Sequence, residues 1–138
     1  MIHTKVRCRE ITEADVDAVA DLLTRGFVGR SRNYWIQGLR RQAFRPVPEG
    51  YPRFGYMLDN DGEAVGVLLL IYTARKVGEE TAIQCNLSSW YVEPSHRNYA
   101  PLLTYENRNI REFVSARTGG YVFQNSHGLA DLNTFFLK

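Results

Sequence analysis

The residues best placed to do chemistry lie in one run, LSSWYVEPSHRNYAPLL, from Leu87 to Leu103. A strand that ends in Val92, Glu93 and Pro94 and passes through a polar turn into a helix brings unpaired helix-start amides and the positive end of the peptide dipole to one point. Such a point suits an anion such as pyrophosphate. Arg97 stands where its guanidinium would join those amides. Just upstream, apolar residues occupy odd positions at Ile83, Cys85 and Leu87 but even ones at Trp90 and Val92, so the parity changes across Ser88 and Ser89. Two arrangements explain this: a β-bulge with one extra residue, which opens the ladder, or a strand buried on both faces that needs no bulge. An opened ladder would leave the backbone of Ser89 to Val92 free to pair with an extended, amide-bearing ligand. Ser88 and Ser89 lack a neighbouring Asp or His pattern that would mark a nucleophile. No cluster has metal-ligand spacing, so no metal is expected.

The elements that must hold this run in place are readable from periodicity. Lys5 to Glu10 alternates as a half-buried strand. Thr12 with Asp15 resembles a capping box with Asp in place of Glu, and Val16, Val19, Ala20, Leu23 and Phe27 then follow helical spacing to an end near Gly26. A second helix starts at Ser31 as N-cap, with Trp35, Leu39 and Ala43 on one face, and stops at Pro46. Phe54, Tyr56 and Leu58 alternate up to Asn60, Asp61 and Gly62, which tolerate the positive φ of a tight hairpin. The returning arm, AVGVLLLIYTA from Ala64, is apolar on both faces and so reads as a central strand covered by helices on each side. A charged turn at Lys76 to Glu80 leads into the strand from Ile83 to Val92. Beyond it the spacing predicts a helix with Pro101 in its first turn, carrying Tyr99, Leu102, Leu103, Ile110, Phe113 and Val114. Thr118 to Gly120 break it, Tyr121 to Gln124 read as a short strand, and Leu129, Leu132 and Phe136 suggest a last short helix. The whole reads as a single α/β domain, an α+β arrangement on a mixed sheet.

Composition narrows the function classes. The chain has 138 residues, 44% of them hydrophobic, enough to build one core without disulfides or metals. The longest apolar run, Ala64 to Ala74, is far too short to span a bilayer, so no membrane partner is expected. The charged start at MIHTKVRCRE does not read as a secretory segment, and a cytoplasmic location is expected. Cys8 and Cys85 both read as reduced thiols in or near the core. The net charge is only +2, yet between Leu22 and Leu58 the one acid, Glu49, faces Arg25, Arg30, Arg32, Arg40, Arg41, Arg45 and Arg53. This block reads either as a solvated helix face beside acidic neighbours or as a surface for phosphates or an acidic substrate. Nucleic acid is not an expected partner, since no aromatic-basic reading motif accompanies the arginines.

From Leu87 to Leu103 the chain resembles the strand, turn and helix at the centre of the GNAT acyl-coenzyme A N-acyltransferases, and the order of elements from Lys5 to Thr104 resembles that family as well. The resemblance implies that acetyl-CoA or another acyl-CoA is the co-substrate. The strand-end residues Trp90, Tyr91 and Val92 would contact its pantetheine arm. The turn residues Arg97, Asn98, Tyr99, Ala100 and Leu102 would contact its pyrophosphate, and Asn125 would match an asparagine after the family's fifth strand. Ala100 and Leu102 stand where the family's turn, Q/R-x-x-G-x-G/A, has small residues. Leucine there either adds bulk near the phosphate or, through a shorter turn, supplies one of the family's paired leucines with Leu103. Residues 105–138 diverge, and the expected fold is a GNAT-like one lacking the last two strands; a non-homologous tail is the other reading of that segment.

The activity so implied is transfer of an acyl group to a small-molecule or peptide amine. Backbone amides near Tyr91 and Val92 would polarise the carbonyl. Glu93, or Tyr91 beside it, would serve as the catalytic group that handles the amine's proton. Against this stand the readings of Glu93 as a solvated strand-end carboxylate and of His96 as an exposed turn residue. The alternative function is a catalytically silent GNAT-like domain that binds a ligand or a partner. A sheet edge left without its closing hairpin would favour a homo-oligomer.

Overall fold

In the computed structural model, residues 6–105 and 134–137 are described. They form a mixed α/β fold around an antiparallel five-stranded sheet in the order β1-β2-β3-β4-β5. In chain order these are β1 (Val6–Glu10), α1 (Val16–Gly26), α2 (Arg32–Phe44), β2 (Gly55–Asn60), β3 (Glu63–Val77), β4 (Glu80–Val92), α3 (Leu102–Tyr105) and β5 (Thr134–Leu137). Short 3-10 turns precede α1 at Glu13–Asp15 and follow β4 at Pro94–Tyr99.

The helix starts are set by short polar side chains. Asp15 accepts from the Thr12 amide at 2.8 Å, so the expected acidic partner of Thr12 is in place. Ser31 Oγ accepts from the Tyr34 amide at 3.1 Å, satisfying one of the donors that a helix start leaves unpaired. On α2 the fully buried face is Ile36, Leu39 and Gln42. This corrects the expected stripe by one residue at either end, since Trp35 and Ala43 are only half-buried. The shift arises because Gln42 Nε2 donates to the carbonyls of Arg53 at 3.0 Å and Leu70 at 2.7 Å, which rotates a polar residue inward.

β2 and β3 are joined where Asp61 (φ 52°) and Gly62 (φ 94°) take up the left-handed backbone expected of the hairpin. β3 is covered on both faces, as its doubly apolar sequence requires. Val67 and Leu69 pack with Val19, Leu22, Leu23, Ile36 and Leu39 of α1 and α2. Leu68 and Leu70 pack on the opposite face with Cys85, Leu87, Trp90, Val92 and Leu103. Each such side chain withdrawn from water contributes roughly 1.5–3 kcal/mol.

The parity change in β4 is a bulge. Leu69 pairs with Ser89 while Leu70 pairs with Leu87, so Ser88 is opposite no residue of β3. Because Ser88 absorbs one position, odd-numbered Cys85 and Leu87 and even-numbered Trp90 and Val92 all reach the same core.

Two expectations for the C-terminal third change. The segment after Val92 is a 3-10 turn, and α3 begins only at Leu102, one residue beyond Pro101. Phe136, expected on a helix, lies instead in β5, which pairs antiparallel with β4 from Ile83↔Leu137 to Asn86↔Thr134. Successive Thr134, Phe135 and Phe136 carry β-favouring side chains, and an available strand edge supplies the backbone partners that a lone short helix lacks. The expected helix from Ile110 to Val114, the strand at Tyr121 to Gln124, Leu129, Leu132 and Asn125 lie outside the described residues.

Candidate functional site

β4 runs past the end of its partner on one side. β5 pairs with Ile83 to Asn86, and β4 continues beyond that pairing through the bulge at Ser88 to Val92.

The side chains of this last part of β4 divide by face. Trp90 and Val92, each 6% exposed, point into the core beneath α3, so only their backbone can meet a ligand. Tyr91 lies on the α1/α2 face. Its ring rests on Gly26, where an added Cβ would stand 2.6 Å from the ring atoms, and its centroid is 6.1 Å from that of Phe27. Phe27 is in turn 5.4 Å from Trp35, and Trp35 5.0 Å from Tyr34. A row of aromatic rings thus leads from the end of β4 to α2.

Glu93 does not stand alone. Arg25, at the end of α1, donates to Glu93 Oε1 from Nη2 at 2.8 Å and from Nε at 3.1 Å. The pair is partly open to solvent, with the Glu93 side chain 28% exposed. Glu93 is therefore an ion-paired carboxylate, neither the solvated strand-end group nor an unencumbered base. His96 is held at both ring nitrogens, by Ser95 Oγ at 2.8 Å and Asn60 Nδ2 at 3.3 Å, and is half-buried.

The turn is less open than its sequence suggests. Arg97 Nε donates to the carbonyl of Val92 at 3.2 Å, folding the guanidinium back on the strand end. The amides of Glu93, His96, Ala100 and Leu103 donate to the carbonyls of Val65, Glu93, Arg97 and Ala100. Tyr99, Ala100 and Leu102 pack half-buried against the core beside fully buried Leu103, so the two leucines are core residues. Asn98 is exposed. Several of the turn's donors are thus already committed within the chain.

Sequence reasoning did not find a groove of about 220 Å³ between α2 and the bulge. Trp35, Arg41, Gln42, Arg45 and Ser88 line it, on the same face of the sheet as Tyr91. The arginine block that hinted at it divides in the structure. Arg25 pairs with Glu93, Arg32 with Asp17 and Asp21, Arg53 binds the carbonyls of Ala43 and Arg45, and Arg30 lies 4.7 Å over the Tyr34 ring. Arg40, Arg41 and Arg45 have no acidic partner among the described residues.

Among the described residues no three His, Cys, Asp or Glu side chains form a metal-holding group. No helix there is long and apolar enough to cross a membrane. Comparison of the chain with family models, curated proteins and solved structures finds no match in any of the three.

Proposed function

We propose that the chain is an acyl-CoA-dependent N-acyltransferase, with acetyl-CoA the simplest donor, that moves an acyl group to an amine at the C-terminal end of β4. The observation that carries this reading is the bulge at Ser88 in β4, a strand that ends at Val92 and passes directly into the turn Pro94–Tyr99 that holds Arg97. An extended thioester arm lying along β4 beyond the bulge would bring its carbonyl to the strand end, where backbone amides stabilise negative charge on the tetrahedral intermediate. The amine must shed one proton before it attacks, and Glu93, directly or through water, is the nearest carboxylate able to take it. The new C–N bond then forms, the C–S bond breaks, and the nitrogen's remaining excess proton passes to the departing thiolate.

A second reading is favoured by two contacts. Arg97 is turned onto the Val92 carbonyl, and Glu93 is tied to Arg25. Both support a domain of the same kind that binds a ligand or a partner without turnover.

Thermal denaturation with millimolar acetyl-CoA, combined with an assay of thioester consumption over a broad amine panel, separates these readings. Binding to the native state at a hundredfold excess over Kd contributes about 2.7 kcal/mol and raises Tm. A raised Tm with turnover lost in Glu93→Gln supports the transferase, and a raised Tm without turnover supports the silent domain. No response to any acyl-CoA removes the transferase and any silent domain that binds acyl-CoA.

A further inference from the structure

We infer that the groove between α2 and the Ser88 bulge is the acceptor pocket and admits a small amine bearing a carboxylate or phosphate group. The inference rests on the acyltransferase reading for the word acceptor, but the anion preference stands on the groove's own walls. Arg41 and Arg45 line it, and among the described residues no carboxylate does. The arginines of this block that touch acids are elsewhere, at Arg25 and Arg32, so these two carry charge that nothing among the described residues balances. Guanidinium forks bind carboxylate or phosphate through paired, charge-assisted hydrogen bonds.

A second feature lies in the wall of the groove. Trp35 Nε1 is the one buried side-chain nitrogen or oxygen among the described residues without a hydrogen-bond partner, and Trp35 lines the groove. A buried donor without an acceptor is costly and is normally satisfied by protein, water or ligand. Ser88 sits on the opposite wall from α2, at the bulge of β4. An amine whose anionic group meets Arg41 and Arg45 would therefore direct its nitrogen toward the strand end. The volume, about 220 Å³, lies below the range of drug-sized pockets and suits a molecule of amino-acid size.

Calorimetric titration of the full chain, without acyl-CoA, tests this with L-glutamate and O-phospho-L-serine against their uncharged counterparts L-glutamine and L-serine. At least one anionic probe is expected to bind about tenfold or more tightly than its neutral counterpart, the margin of one charge-assisted pair. Its affinity is expected to fall with added salt. Which anion binds better distinguishes carboxylate from phosphate. The double variant Arg41→Gln/Arg45→Gln should lose the preference, and Arg40→Gln, altered next to the groove but not in it, should keep it. Equal binding of charged and neutral probes, no binding of either anion, or a preference that survives the double variant overturns the inference. The comparison of probes and the salt dependence use the unaltered chain, so a poorly folding variant does not spoil the test. Acetyl-CoA stabilisation without anion binding removes this inference alone. Anion binding without any acyl-CoA response removes the acyltransferase reading and leaves the anion site.

Discussion

The Tyr91 ring occupies the space that a side chain at Gly26 would need: a Cβ built there meets three ring atoms at 2.6 to 2.7 Å. This contact joins the last turn of α1 to the end of β4, next to the Arg25–Glu93 pair. Gly26 is not at positive φ, so alanine would ordinarily improve the helix by up to about 1 kcal/mol. Here the clash outweighs that gain, because the buried side of an aromatic ring cannot yield as a flexible side-chain tip can. Gly26→Ala is expected to destabilise the fold by about 1–3 kcal/mol. In a Tyr91→Ala background the same change should be neutral or stabilising, and a double-mutant cycle in urea measures the difference.

Acid should weaken the fold through a bridge that ties β1 to β2 and to the start of α1. Arg9 donates to Asp15 at 2.7 and 2.8 Å and to Asp59 at 2.8 Å, and Asp59 is only 4% exposed. The hydrogen bonds from Arg9 hold the Asp15 carboxyl down at about 2, and Asp59 is lowered by the same neighbour. A carboxylate with a depressed folded-state value stabilises above its unfolded value and loses that stabilisation as pH falls. For Asp15 the window runs from about pH 4 down to about pH 2, and the loss is roughly 2 kcal/mol. Arg9→Met should cost about 2–3 kcal/mol at neutral pH and flatten the acid dependence, as denaturation at stepped pH would show.

The two thiols should differ in reactivity. Cys85 is 0% exposed, and burial pushes its thiol up to about 12, so little thiolate forms at pH 8. Cys8 is half-buried on β1, and neither cysteine is in a disulfide. Ellman's reagent should therefore modify at most one thiol in the native protein, at Cys8, and two after unfolding. Modification of Cys85 in the folded chain would contradict the packing described for β3 and β4.

What was legible in the sequence is what local pattern controls. The Asp61-Gly62 hairpin and the two-faced β3 follow from turn chemistry and side-chain period, which neighbouring residues specify by themselves, whereas the parity change across Ser88 and Ser89 left a bulge and a doubly buried strand equally open until the pairing with β3 decided for the bulge. Pairings over long separations were not legible. Glu93 meets Arg25 across 68 positions and Arg9 meets Asp59 across 50, and no spacing rule connects either pair. The groove escaped for a similar reason. Arg41 and Arg45 stood in sequence within one undivided block of arginines, and only the partners taken by Arg25, Arg32 and Arg53 show which guanidiniums have no acidic partner among the described residues. β5 was missed because Leu129, Leu132 and Phe136 fit a helical period, while the edge of β4 that recruits Thr134–Leu137 is supplied by tertiary structure.

The bulge itself offers the sharpest separation of folding from function. Ser88 lies between two correctly paired stretches, with Leu87 opposite Leu70 and Ser89 opposite Leu69. Removing Ser88 would join these stretches into one regular ladder without changing a single pairing. Cys85, Leu87, Trp90 and Val92 would remain on the core face they now share. Deleting Asn86 differs: the bulge absorbs the lost position and Trp90 and Val92 keep their face, but Leu87 moves opposite Ile71 on the other face and Ser88 takes its place in the core. The Ser88 deletion is therefore expected to fold with a Tm within a few degrees of the parent, corresponding to about 1 kcal/mol or less, whereas the Asn86 deletion, which removes a leucine from the core and buries a serine, should lose about 2–5 kcal/mol. Yet the Ser88 deletion straightens β4 beside the groove and removes one residue of the groove's wall. Stabilisation by acetyl-CoA and the preference for anionic amines should both be lost in a protein whose circular dichroism is unchanged. Retention of both would show that the irregularity in β4 serves only to fit the strand to its core.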